Sequence, residues 1–410
     1  MKLEIDSAYE ILKPIINQTA LQFHSRLSDL YQAKIYLKRE DLQVVRSYKI
    51  RGAYNMIQSL PIEDRKKGVV CASAGNHAQG VAYSCHLLKI FGVIYMPEVT
   101  PKQKINQVRM FGGEYIEIKL LGDTFDECQK EAISYAKEKS MSFIPPFDHP
   151  KIMEGQGTVG KEILSELKGI DFLFLPIGGG GLGAGVGTYF KNHSPKTKII
   201  GAEPLGAPSL KEAMSLGKPV VLEKIDKFVD GAAVKKVGDL TFPICQSVLN
   251  DLTLVPEGKV CTTILDLYNL DAIVSEPAGA LSIAALDGYR ELIRDQTVVC
   301  ILSGGNNDID RMQEIKERSL LYEGLKQYFI VRFAQKPGAL KQFVNEILGP
   351  NDDIVRFEFI QKHNKESGPA LIGIELKSKH DFQSLLARMK EFHLNFTIIN
   401  QDENLFEYLI

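Results

Sequence analysis

Between residues 30 and 320, short apolar runs alternate with segments whose apolar positions return every three or four residues. "AKIYLKRE" (33–40) reads as a strand, and a helix follows from Ser47, with Ala53, Ile57 and Leu60 at helical spacing. "GVVCASAG" (68–75) reads as a strand, then "NHAQGVAYSCHLL" as a helix; "FGVIYMPE" as a strand, then "PKQKINQVRMFG" as a helix with a glycine stop. "EYIEIKL" (114–120) and "TFDECQKEAISYAKEK" repeat the pair. "GTVGKEILSELK" (157–168) sets Val159, Ile163, Leu164 and Leu167 on one helical face, and strands "DFLFLPIG", "TKIIGAEP" and "TVVCILSGG" (297–305) come after it. Such alternation predicts an α/β fold of parallel sheets covered by helices. It divides into a smaller lobe over roughly 47–150 and a larger one holding the N-terminal segment and most of 151–320.

The pattern changes near "ERSLLYEGLKQ" (317–327). A strand (YFIVRFAQ), a helix (PGALKQFVNEIL), two strands (DIVRFEFIQKH and ALIGIELKS), a helix (HDFQSLLARMKEF) and a strand (FTIINQ) follow. The order βαββαβ predicts a ferredoxin-like domain over 321–410, after a catalytic-sized domain over 1–320. Pro337 is placed to open its first helix and Gly349-Pro350 to close it.

Hydrophobic residues make up 44% and charged residues 24% of the 410 positions, an ordinary globular balance. A net charge of −2 gives no basic field to attract nucleic acid or an anionic membrane. The apolar stretch 171–190 is long enough to span a bilayer, but its proline and glycines suit a strand, turn and helix better. Six scattered cysteines without a Cys-x-x-Cys pair point to reduced thiols in a cytoplasmic protein. The N-terminal "MKLEIDSAYEILKPI" carries acids where a secretory signal needs an apolar run.

Four short stretches carry the candidate chemistry. In "SYKIRGA" (47–53), Ser47 is placed to cap a helix whose first turn holds Lys49 and Arg51, where the helix dipole repels cations. A lysine there, beside Arg51 and buried, has its pKa pushed down toward the neutral amine that forms Schiff bases. An ordinary surface lysine remains the plain alternative. "PIGGGGLGAG" (176–185) follows a strand and opens a helix, so its backbone N–H groups suit a phosphate. Gly178, Gly180 and Gly183 also fit G-x-G-x-x-G, with Glu203 about twenty residues on, the arrangement of a nicotinamide dinucleotide site. "SAGNHAQG" (73–80) gathers Ser73, Ala74, Gly75, Asn76 and His77 at a helix N-terminus, where a carboxylate or a mere helix cap is equally served. "LSGGNND" (302–308) brings Ser303 to the end of another strand.

In that order these motifs resemble the fold-type II pyridoxal-phosphate enzymes (the tryptophan synthase β-like fold) across about 1–320. Residues 328–410 resemble the ACT-like regulatory domain of biosynthetic threonine dehydratases (threonine ammonia-lyases). The chain is identified as a member of that family. The resemblance implies pyridoxal 5'-phosphate as cofactor, joined to Lys49, with Tyr48 against its ring and Asn76 on its 3-hydroxyl. Gly178, Gly179, Gly180, Gly181 and Leu182 would wrap its phosphate, Ser303 would face the pyridine nitrogen, and Ser73 to His77 would take the substrate carboxylate. It implies β-elimination of water from L-threonine, and L-serine beside it, giving 2-oxobutanoate and ammonia at the head of isoleucine biosynthesis. Lys49 would remove the α-proton. A serine dehydratase or a β-replacement synthase is the neighbouring alternative. Serine racemases of the family resemble "SSGNHG"; Ala74 stands where their second, proton-moving serine would be. Glu203, Ala207 and Ser209 resemble the racemases' divalent-cation site in spacing, with Ser209 in place of an acid, which leaves a monovalent ion or no metal. Isoleucine sensing opposed by valine, and a homotetramer, complete the implied picture.

Overall fold

The computed structural model describes residues 2–359 and 366–409. Its chain divides into two compact units, Met1–Ile309 and Asp310–Ile410. The division falls before the helix Met312–Tyr322, upstream of the 320/321 boundary expected from the change of pattern, because that helix packs against the strand Lys326–Ala334.

The first unit holds two sheets. The larger orders its strands Leu21–Phe23, Lys34–Arg39, Thr297–Leu302, Phe172–Pro176, Lys198–Pro204 and Asp251–Val255. All neighbours are parallel except the first pair, where Leu21 faces Lys38 antiparallel. This edge strand corrects the expectation of wholly parallel sheets; three residues with weak alternation carried too little pattern to read. Val298 to Leu302 of the central strand are all buried. Burying such side chains contributes roughly 1.5–3 kcal/mol each, and their unbroken run suits a sheet covered on both faces. The smaller sheet is parallel throughout, in the order Ile116–Leu120, Gly92–Met96, Val69–Ala72 and Ser142–Phe143.

Three helices bring the candidate motifs together. Lys49–Ser59 packs on Pro150–Glu166, which in turn packs on Gly181–His193. The middle helix begins at Pro150, seven residues ahead of the expected start at 157. Gly155 and Gly157 resemble a loop in sequence, but they serve close approach. A Cβ on Gly155 would lie 2.4 Å from the Arg51 carbonyl oxygen, and one on Gly185 2.2 Å from that of Met153. The backbones therefore meet almost directly, and both flanking helices are fixed by one.

The second unit forms an antiparallel sheet in the order Asp353–Phe359, Ser367–Glu375, Lys326–Ala334 and Asn395–Ile398. Helix Lys379–Glu391 and the segment Ala339–Gln342, continued by a π turn over Phe343–Ile347, pack on it around Phe329, Phe343, Ile372 and Leu385. This is the βαββαβ order, with a further helix Glu403–Leu409 that the sequence pattern did not suggest. Its first helix starts at Ala339, after Gly338 at φ +88°, so Pro337 precedes the helix rather than opening it. Of the strand expected over 353–363, the part at 360–363 lies outside the described residues.

Candidate active site

Three turns and a lysine meet at the carboxyl ends of the strands. Ser73 follows the strand Val69–Ala72, the glycine run follows Phe172–Pro176, and Ser303 follows Thr297–Leu302. Ser47 forms a bridge with Gly304, and the Tyr48 N–H donates to the Ser303 carbonyl at 3.2 Å. The start of helix Lys49–Ser59 is thus stitched to the end of the central strand. Ser47 does not cap the helix: the position before Lys49 is Tyr48, in helical conformation, and no side chain caps it. The Ser47 hydroxyl is buried without a protein partner.

Lys49 is half-buried. Its Nζ donates to the Pro146 carbonyl at 3.0 Å and lies 5.4 Å from the centre of the Tyr48 ring. Burial lowers its pKa to about 8, opposed by the nearby Glu276 carboxylate. Arg51 is not the cause expected from sequence, because its charge is spent elsewhere. Its guanidinium donates to Glu40 at 2.8 Å and to Glu162 at 2.6 and 2.8 Å. Lys38 donates to Glu162 at 2.6 Å and completes a buried set of two cations and two carboxylates.

Ser73, Ala74, Gly75 and Asn76 are half-buried and line the cleft; a Cβ on Gly75 would meet nothing within 4 Å. His77 turns away. Its imidazole is buried and shares a 2.9 Å hydrogen bond with the Ile144 carbonyl. Burial, with Lys49 nearby, lowers its pKa to about 3, so the ring is neutral and Nε2 donates. It braces the 144–149 segment through Nε2, while its Nδ1 is buried without a protein partner.

That segment went unread in sequence, although it touches most of the site. Ile144 accepts from His77 and Pro146 from Lys49. A Cβ on Gly179 would lie 2.3 Å from the Phe147 ring. Asp148 accepts from the backbone N–H groups of Asp239, Leu240 and Thr241 at 2.9–3.1 Å. Thr241 in turn donates from Oγ1 to the Gly179 carbonyl at 2.6 Å, and Cys245 Sγ donates to that of Gly180 at 3.4 Å. A trans peptide points its N–H opposite to its C=O. The N–H groups of Gly180 and Gly181 therefore face away from Thr241 and Cys245, at the N-terminus of helix Gly181–His193. Gly180 has φ +88°, which a side chain would strain.

Glu276 is the second residue missed. It is buried, and Asn76 Nδ2 donates to its Oε1 at 2.7 Å. Burial, with Asp230 adding to it, raises its pKa to about 7. The signal available was "SEPAGA", an acid before a helix-opening proline, which reads as an exposed cap.

Glu203 has another occupation. Its two oxygens accept from the N–H groups of Leu210 and Lys211 at 2.7 and 2.9 Å, with Ser209 Oγ at 3.4 Å. It is fully buried and occupied by the first N–H groups of the helix Ser209–Leu216, out of reach of a ribose, and the dinucleotide reading loses its acid. Ala207 is also buried there, its N–H bonded to Pro204. Among the described residues no group of three or more His, Cys, Asp or Glu could hold a metal ion, and no helix is long and apolar enough to cross a membrane.

Residues 12–304 match the family described as pyridoxal-phosphate dependent enzymes, and 317–409 match the C-terminal regulatory domain of threonine dehydratase. A biosynthetic L-threonine dehydratase of Halalkalibacterium halodurans is 58% identical, over 100% of both chains. This chain belongs to the pyridoxal-phosphate dependent L-threonine dehydratase family. Another such dehydratase, from Bacillus subtilis, is 56% identical over 98% of this chain and 96% of its own. Among solved structures, the processed threonine deaminase isoform 2 of Solanum lycopersicum superposes with a TM-score of 0.72 at 41% identity, covering 77% of this chain and 94% of that one. Maize serine racemase gives 0.72 at 29% identity, over 78% and 98%.

The site fits the family's cofactor. The glycine turn offers outward N–H groups where any Cβ would collide with Phe147, Thr241 or Ala232. Lys49 stands by with an amine that is easily neutral. Asn76 has a second N–H beyond the one given to Glu276. The 3.3 Å contact from Ser303 Oγ to the Ala278 carbonyl is long for a hydroxyl, so that donor turns readily to a better acceptor.

Proposed function

We propose that this protein converts L-threonine to 2-oxobutanoate and ammonia, eliminating water from the substrate and taking water up again as the resulting imine hydrolyses, and that it acts on L-serine as well. The observation that carries the reading is the half-buried Lys49 amine, held at 3.0 Å by the Pro146 carbonyl at the meeting of three ligand-shaped turns. The N–H groups of Gly178 to Leu182 would hold the cofactor phosphate. Tyr48 would pack on the ring, Asn76 would donate to its hydroxyl and Ser303 would donate to its nitrogen. When bound, pyridoxal phosphate draws electron density from the substrate's α-carbon. Ser73, Ala74, Gly75 and Asn76 receive the substrate carboxylate, with His77 bracing the turn. Lys49, as a neutral amine, takes the α-proton. Ser303 is a hydroxyl and not a carboxylate, so it leaves the ring nitrogen unprotonated, a weaker sink that favours prompt loss of the β-hydroxyl. Ala74 has no proton to move, which favours dehydration over racemisation.

The regulatory role belongs to the C-terminal domain over 321–410, which lies within the second unit Asp310–Ile410, after a catalytic domain over 1–320 with its smaller lobe at 47–150. Isoleucine is read as inhibitor and valine as its opponent, in a cytoplasmic homotetramer. One direct test records visible absorbance and 2-oxo acid release on adding L-threonine, for the native protein and Lys49→Ala. A band with turnover in the first and neither in the second supports the reading. A protein that binds no chromophore after incubation with pyridoxal phosphate overturns it. Serine turned over much faster than threonine points to a serine dehydratase.

A further inference from the structure

Asn76 is gripped at both ends of its carboxamide. Asn306 Nδ2 donates to Asn76 Oδ1 at 2.7 Å, and Asn76 Nδ2 donates to Glu276 Oε1 at 2.7 Å. Neither contact survives a flip of the amide. Asn306 is itself fixed, because the same Nδ2 donates to the Val45 carbonyl at 2.9 Å and to Gln79 Oε1 at 3.0 Å. A backbone carbonyl has no donor form, so the orientation of Asn306 is set from outside the network. Glu276 also accepts from the Asn306 backbone N–H, which closes the ring of three residues. Glu276 cannot back away, since Gly304 is packed so closely that a Cβ there would lie 2.3 Å from its Oε1.

We infer that Glu276, together with Asn306, is a positioning residue that holds Asn76 with its second Nδ2–H aimed into the cleft as a donor. This rests on the reading that pyridoxal phosphate occupies the same cleft. An Asn free to flip presents its carbonyl oxygen half the time, and that end repels an ionised ring hydroxyl. Locked as a donor, Asn76 favours the ionised hydroxyl and so fixes the pH at which the bound cofactor's visible absorbance titrates. Above its pKa of about 7 the Glu276 carboxylate can only accept from Asn76, whereas an amide in its place offers either end.

The experiment is a pH titration of that absorbance in the reconstituted full-length protein. Glu276→Ala, Asn76→Ala, the double variant and Glu276→Gln are compared, with cofactor content and thermal midpoint recorded. Glu276→Ala is expected to move the titration up by about one pH unit, and Asn76→Ala by at least as much. The double variant should match Asn76→Ala alone, because Glu276 acts through Asn76. Glu276→Gln, whose oxygen can still accept, should fall nearer the native curve. Additive shifts in the double variant, or an unmoved titration in a folded, loaded Glu276→Ala, overturn the inference. If Glu276→Ala does not fold, a Glu276→Gln curve shifted as far as that of Asn76→Ala overturns it as well. A native protein with no titrating band refutes the cofactor reading instead, so the two failures are distinct.

Discussion

Arg51 Nη1 lies 2.6 Å from Glu162 Oε1, and neither side chain reaches solvent. Glu40 faces the same guanidinium at 2.8 Å, and Lys38 faces Glu162 at 2.6 Å. This explains an arginine in the first turn of a helix: the carboxylates outweigh an unfavourable dipole worth only tenths of a kcal/mol. It also joins the strand Lys34–Arg39 to the helices Lys49–Ser59 and Pro150–Glu166, two residues from Lys49. Arg51→Met leaves two buried carboxylates with Lys38 alone, at a cost of about 3–5 kcal/mol. A clearly lower urea midpoint by circular dichroism is the expected outcome; an unchanged midpoint would show that the cluster contributes nothing.

Lys49 predicts the pH dependence of cofactor loading. Burial holds its pKa at about 8, against 10.5 for the ordinary side chain. A lowered lysine pKa means that the folded protein gives up the proton more readily, and the neutral fraction grows as pH rises to about 8 and then levels. At pH 7 roughly a tenth of the amine is neutral, against roughly one part in three thousand for an unperturbed lysine. The rate of pyridoxal phosphate uptake by the cofactor-free protein should therefore rise about tenfold per unit below pH 7 and flatten above 8. A rate still climbing through pH 10 would mean that the amine is not desolvated.

The glycine turn predicts a steric dependence on Phe147. A methyl group on Gly179 would lie 2.3 Å from that ring, so Gly179→Ala must displace either the turn or the phenylalanine. Cofactor retention through gel filtration should fall by at least about tenfold, a loss of about 1.4 kcal/mol or more. Adding Phe147→Ala makes room and should recover part of it. Equal loss in the single and double variants would place the harm elsewhere.

The turns were legible because each sits where a short unbroken apolar run gives way to glycine and polar residues, which marks a strand end. Ser73, Gly178 and Ser303 could be placed that way without any distant partner. Glu276 could not, since its partner Asn76 is 200 positions away and a lone acid before a proline looks like a surface cap. The 144–149 segment hides for a similar reason: it works through two carbonyl groups, one ring and one capping carboxylate, none of which forms a sequence pattern. Arg51 was noticed but misassigned, because the two carboxylates that absorb its charge come from a strand end and from a helix that begins earlier than its glycines suggest.

The second unit carries an open cavity of about 430 Å³ between the strand ends and the turn before Ala339, lined by Phe333, Lys336, Leu340, Phe357 and Phe359. Three aromatic rings and a leucine beside a lysine suit an amino acid with an aliphatic side chain: apolar walls for the side chain, a cation for the carboxylate. On the proposal that isoleucine inhibits, filling the space with Ala339→Phe should weaken that inhibition at least tenfold. Turnover without isoleucine should stay as in the native protein, because Ala339 belongs to a different unit from Lys49. Coupling between effector and substrate requires that isoleucine prefer one state of the enzyme over another, and blocking its entry removes that preference without altering the states. Threonine saturation curves with and without isoleucine decide the matter. An inhibition constant that does not move in the variant would exclude this cavity as the effector site, and a fall in basal turnover would show that the substitution acts through the fold instead.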